Sequence, residues 1–162
     1  VRITGAALSD DLGALEKVVV HLQDRIIKGY LEPASGTTIE EILTHASARV
    51  SGSLRIRHKD SDRIEEIDTA AAKALFFVNK FESNPDRKDV HFSRLAPIVH
   101  GIWVRVQFMD GEVIEGIVNN TIDHIVNSGF FLRPTDPESN NRLIYMSKNQ
   151  LRDYRVLGLR NR

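Results

Sequence analysis

Hydrophobic and polar residues alternate with a period of two through much of this chain, the period of strands whose successive side chains point to opposite faces. In "VVVHLQDRIIKGYL", Val18 to Leu31, the residues Val18, Val20 and Leu22 share one face and Val19, His21 and Gln23 the other. In "VRVQFMDGEVIEGIV", Val104 to Val118, Val104, Val106 and Phe108 alternate in the same way with Arg105, Gln107 and Met109. Each stretch predicts a β-hairpin that buries one side. Asp110-Gly111 suits a two-residue turn that needs positive φ, whereas Asp24-Arg25 must turn differently.

The two stretches correspond position by position, with one gap at Gly111, and this predicts an internal duplication. Val18 matches Val104, Val20 matches Val106, Leu22 matches Phe108, Asp24 matches Asp110, Ile27 matches Ile114 and Gly29 matches Gly116. Downstream, the segment from Gly52 aligns with that from Gly129, bringing Arg63 to Arg142, Ile64 to Leu143, Phe76 to Tyr154 and Val78 to Val156. Each copy reads as five short strands, with a tight helical turn at "DTAAAK" and "SKNQL" before the fifth. Five short strands of this kind predict a small closed barrel, so the expected fold is mainly β with minor α: two tandem five-stranded barrels.

The copies differ between their second and third strands. "TTIEEILTHASARV" spaces Ile39, Ile42, Leu43, Ala46 and Val50 for an amphipathic helix, with Thr37 or Thr38 as N-cap, and predicts a helix inserted in the first barrel. "NNTIDHIVNS" is too short for an equivalent. "SDDLGAL" predicts a short helix capped by Ser9. "ESNPDRKDVHFSRLAPIVHG", with two prolines and no sustained period, reads as a linker that packs Phe92, Leu95 and Ile98 across both barrels. The expected domains are residues 1–83, a linker at 84–101, and residues 102–162.

Charge adds little direction, because 22 Lys and Arg balance 22 Asp and Glu and leave no global field for nucleic acid or anionic membranes. The absence of cysteine excludes a disulfide scaffold, a thiolate metal site and a cysteine nucleophile. It fits a reducing compartment, and a cytoplasmic location is expected. No apolar run approaches the roughly 18 residues of a membrane span.

Catalytic patterns are missing: there is no nucleophile elbow, glycine-rich phosphate loop, paired His-Glu zinc motif or calcium loop. Neither a cofactor nor a metal is expected. His91 and His100 flank the linker without further ligands, and Asp24 and Asp110 read as turn formers. Two groups stand above this background. In "RPTDPESNNR", Pro134 and Pro137 stiffen a loop whose Arg133, Asp136, Ser139, Asn140 and Asn141 are candidates for contacting a partner. Towards the end of the chain, Arg142, Lys148, Arg152, Arg155, Arg160 and Arg162 face only Asp153, with Tyr145 and Tyr154 interleaved. Arg142, Lys148, Arg152, Tyr154 and Arg155 are therefore candidates for nucleic-acid contact.

The alternating strand, Asp-containing turn and return strand ending in Gly29 or Gly116 are similar to the first motif of Sm and bacterial Sm-like RNA-binding proteins, and the strand order resembles Sm-like and Src-homology-3-like barrels. "NNTIDHIVNS" and "MSKNQLRDY" depart from the Sm residues that bind a base. "GFFLRPTDPESNN" resembles a stretch of an uncharacterised bacterial domain family, often duplicated, which implies the duplicated architecture and no particular activity.

The expectation is a non-enzymatic binding or regulatory module, with a protein or peptide partner ahead of RNA. Sm-like binding of single-stranded RNA through the basic cluster is the alternative. No membrane partner is expected, and homo-oligomerisation is compatible with either.

Overall fold

The computed structural model describes residues 16–32, 53–82, 101–120, 125–136 and 138–160. Ten strands follow in chain order. In the first half they are β1 (Lys17–His21), β2 (Ile26–Leu31), β3 (Ser53–His58), β4 (Ile64–Asp68) and β5 (Ala74–Val78). In the second half they are β6 (Gly101–Phe108), β7 (Val113–Val118), β8 (Gly129–Pro134), β9 (Asn141–Ser147) and β10 (Leu151–Arg160). A 3-10 turn precedes the last strand of each half, Thr69–Ala71 before β5 and Lys148–Gln150 before β10.

All ten strands belong to one sheet, in the order β10-β6-β7-β8-β9-β5-β1-β2-β3-β4. Each half thus runs fifth, first, second, third, fourth strand. Corresponding positions make corresponding pairs: Val18 lies opposite Gly29 and Val20 opposite Ile27, as Val104 lies opposite Gly116 and Val106 opposite Ile114. Both glycines are required by close approach of the third strand. A Cβ on Gly29 would stand 2.1 Å from the Arg57 carbonyl oxygen, and one on Gly116 would stand 2.5 Å from that of Arg133.

The expectation of two separately closed barrels is corrected, because the sheet is open and the halves are joined edge to edge. β5 pairs with β1 on one flank and with β9 on the other, Leu75 opposite Tyr145 and Phe77 opposite Leu143. The physical reason is that β5 is apolar on both faces, and all five of its residues are buried. Leu75 and Phe77 face a core built with Val18, Val20, Ile27, Leu31 and Ile56, which also takes in Phe131, Leu143 and Tyr145 from the second half. Ala74, Phe76 and Val78 face the other core, with Val104, Val106, Phe108, Phe130, Leu132, Ile144 and Met146. A barrel closed on β5 alone would leave that second face in water, at about 1.5–3 kcal/mol for each large side chain.

Val19 is drawn into the second core for the same reason, so β1 is buried on both faces where alternation predicts one. Side chains and turns reinforce the joint. Ser147 Oγ donates to the Thr69 carbonyl at 2.9 Å, and Asn149 and Gln150 donate to that of Ala70 at 3.4 and 3.3 Å.

Several local expectations shift by one residue. The second hairpin has a three-residue loop, Met109 to Gly111, since the Phe108 N–H meets the Glu112 carbonyl and Gly111 carries the positive φ of 95°. The first hairpin turns on Gln23 and Asp24, closed by the Leu22 N–H on the Arg25 carbonyl. Through the registers Leu75 corresponds to Tyr154 and Phe77 to Val156, in place of Phe76 and Val78. A β-bulge between Leu151 and Asp153 absorbs the extra residue. Ser53, in place of Gly52, corresponds to Gly129, while Ile64 corresponds to Leu143 as read from the sequence.

The helix expected over residues 37–50, the segment around Ser9 and the linker as far as His100 lie outside the described residues. Helical structure among the described residues is confined to the two 3-10 turns and Ile125–Val126, and no helix there is long and apolar enough to cross a membrane.

Candidate functional site

An open sheet has two edges, and here they differ in kind. β4 is five residues long with the sequence IEEID. Its Glu65 is held by Arg25, by His58 Nε2 at 2.9 Å and by Arg63 at 3.0 Å. The bidentate Arg25 guanidinium is the main reason the Glu65 carboxyl is lowered to about 2. Short length and charge are the usual protection of a sheet edge. One apolar residue breaks the pattern, Ile64, 40% exposed.

β10 is twice as long and, among the described residues, pairs with β6 alone. Tyr154 lies opposite Val106 and Val156 opposite Val104, so both point to the face of the second core; Asp153 and Arg155, opposite Gln107 and Arg105, point to the other. Val156, near the centre of the strand, and Leu159, near its end, are 56% and 63% exposed. Among the described residues no strand occupies the outer flank of β10.

Beside this edge the second core opens into a groove of about 550 Å³. Ile102, Ile125, Phe130, Leu151, Tyr154 and Val156 form its apolar lining, with Lys148, Arg152 and Asp153 at its margin. Tyr154 packs edge-on against Phe130 at 5.9 Å, and burial pushes its phenol up to about 12. Burial also lowers the Lys148 ammonium, which donates to the Ile125 carbonyl at 2.9 Å. The groove is thus an apolar trough beside a strand edge that no strand covers among the described residues, with two cations at its rim. Such a surface can hold an extended chain by main-chain hydrogen bonds and alternate side chains. Among the described residues that line it, no nucleophile and base are in contact.

The basic residues singled out in the sequence are divided by the fold. Lys148, Arg152 and Tyr154 meet at the groove. Arg155 lies on the opposite face and donates to Asp153 at 2.8 Å. Arg142, at the start of β9, is ion-paired with Glu16 of the first half. The side chains of Arg160 and Arg162 are not among those described.

Of the loop residues, Asn140 and Asn141 contact the first half at the joint. Asp136 Oδ1 accepts from the Glu138 N–H at 3.0 Å, and buried Ser139 Oγ accepts from the Asn141 N–H at 3.1 Å. Asn140 Oδ1 accepts from the Lys80 N–H at 3.0 Å and its Nδ2 donates to the Lys80 carbonyl at 2.9 Å. Asn141 lies opposite Val78 in the β5–β9 ladder. Arg133 is exposed on β8, opposite Ile117.

Two further polar centres have structural explanations. Lys73, 4.9 Å above the Phe108 ring, pairs with Asp110 at 2.7 Å and with Glu112, tying the start of β5 to the β6–β7 turn. Burial, and then Lys73, keep the nearby His21 imidazole below its ordinary value. Buried Glu115 accepts from Trp103 Nε1 at 2.7 Å and from Arg105 at 3.4 Å across the β6–β7 ladder. Among the described residues no cluster of three His, Asp or Glu side chains is placed to hold a metal ion.

Sequence reasoning missed Ile64, Ile102 and Val156, because an aliphatic residue in an alternating strand reads as core, and it missed Ile125 and Phe130, which the fold brings to β10 from outside its hairpin. The available signal was "LRDYRVLGL", which is longer and more polar than its counterpart "ALFFV". That contrast separates an edge strand from one buried on both faces.

No curated protein and no solved structure matches this chain. A family model matches residues 14–158, which include every strand of the sheet from β1 to β9 and nearly all of β10, and the chain belongs to the family of unknown function DUF6982.

Proposed function

We propose that this protein is a non-enzymatic interaction module, made of a duplicated five-stranded unit, that takes a protein or peptide partner as an added strand along β10. The observation that carries this reading is the β10 edge itself: ten residues long, paired on one flank, with Val156 exposed beside a groove of about 550 Å³. An added strand would hydrogen-bond along the β10 flank that no described strand occupies and place every second side chain against Phe130 and Tyr154. Duplication is supported by the shared strand order and the matching Val-Gly pairs. The cysteine-free composition suits work in a reducing compartment such as the cytoplasm.

Selection of extended peptides from a displayed library tests the reading. Peptides of alternating apolar and polar residues are expected, and Val156→Asp should abolish their binding. Selected peptides that bind Val156→Asp unchanged would refute it.

A second reading, single-stranded RNA binding, is favoured by one observation, the convergence of Lys148, Arg152 and Tyr154 on the groove. It requires steeply salt-dependent oligonucleotide affinity that flattens when Lys148, Arg152 and Arg155 are replaced together. Arg155 and Arg142 already have carboxylate partners, which weakens the case for a phosphate track.

A further inference from the structure

We infer that the strand added to β10 is β4 of a second copy of this chain, in the register that β9 already takes on β5. The inference rests on the reading of β10 as a partner-binding edge and names that partner.

The internal joint supplies the geometry. It pairs a fifth strand, β5, with a fourth strand, β9. The two strands left at the ends of the sheet are the other fourth strand, β4, and the other fifth strand, β10. One contact of a kind the molecule already makes would therefore pair the two strands that end the sheet among the described residues. Such a head-to-tail contact is heterologous, and it builds a closed ring or an open filament according to whether the rotation closes.

Transferring the register specifies which residues meet. Phe77 opposite Leu143 becomes Val156 opposite Ile64, and Leu75 opposite Tyr145 becomes Tyr154 opposite Glu66. Val156 and Ile64 are the exposed aliphatic residues at these places, 56% and 40%, and they would cover each other. On β4, Ile64, Glu66 and Asp68 share one face, the face that would turn towards the groove. There the rim carries Lys148 and Arg152 together with Asp153, while the equivalent face of β9 delivers Leu143 and Tyr145 into a hydrophobic core. Ser147 Oγ meets the Thr69 carbonyl in the joint, so the transferred register brings Asp68 beside Lys148, whose ammonium is one of the two cations at the groove. The acids on β4 and the cations at the groove are thus complementary at matched positions, which favours β4 over an arbitrary apolar strand.

The chain contains no cysteine, so single cysteines report cleanly. Ile64→Cys and Val156→Cys are both surface substitutions and should fold. Under oxidation, a dimer-sized band is expected when the two variants are mixed and not from either alone. Lys148→Glu with Arg152→Glu should weaken association about tenfold, and Glu66→Lys with Asp68→Lys on the other chain should restore it. Homodimers of Val156→Cys alone would mean that β10 pairs with β10, and would overturn the inference. So would a chain that stays monomeric at every concentration in native mass spectrometry. If that monomeric chain still binds library-selected peptides through Val156, the edge reading stands and only the self-partner is wrong; if it binds none, both fail.

Discussion

Asn140 of the second half treats Lys80 of the first as if it were a neighbouring strand residue: its side-chain amide accepts from the Lys80 N–H at 3.0 Å and donates to the Lys80 carbonyl at 2.9 Å. Its own carbonyl accepts from the Asn79 N–H at 2.9 Å. One residue therefore extends the β5–β9 ladder past the end of β5, where regular pairing stops. Asn140→Ala should destabilise the fold by about 1–3 kcal/mol, because both Lys80 groups lose a partner. Urea unfolding measures it. Asn140→Asp, which keeps the acceptor and loses the donor, should fall between Ala and the parent.

Glycine substitutions should separate steric need from conformational need. Gly29→Ala and Gly116→Ala force a methyl into the Arg57 and Arg133 carbonyls, and each should cost about 1–3 kcal/mol or more. Gly111→Ala meets nothing within 4 Å and suffers only from its φ of 95°, so about 1 kcal/mol is expected. Thermal melts of the three variants should show that order.

Core and edge valines should respond oppositely to the same change. Val106→Asp puts a charge into a position that is 0% exposed and should cost several kcal/mol, on the order of 3–5. Val156→Asp, at 56% exposure, should shift stability by less than about 0.5 kcal/mol while removing strand addition. A large melting shift in Val156→Asp would mean that this part of β10 is buried.

Glu65 gives the acid limb of the stability curve a defined origin. Its folded value of about 2 lies below its ordinary value of 4.5, so the unfolded state binds protons first as pH falls. The resulting stability is present in full above about 4.5 and is lost as pH drops towards 2. Asp110, held low chiefly by Lys73, acts in the same direction. Glu65→Gln should flatten urea stability over that window and leave its slope above pH 6 unchanged.

The sequence by itself determined the strands and their faces. Period-two alternation is a local property, and so Val18 with Val20 and Val104 with Val106 pointed inward, the 3-10 turns and the ten-strand count were all legible. The Val18–Gly29 and Val104–Gly116 pairs were not legible, because a hairpin register is set by its turn and both turns lie one residue away from where Asp24-Arg25 and Asp110-Gly111 placed them. Tertiary structure alone decided what lay beyond the last strand of each half. Whether β5 closes onto its own unit or pairs with β9 depends on partners some 70 residues away, and "ALFFV" is apolar enough for either. The same non-local choice consumed the Asn140 loop in the joint, divided the basic residues between two faces, and left Val156 and Ile64 in water. A valine carries no mark of whether a neighbouring strand covers it, because burial is a property of the whole sheet.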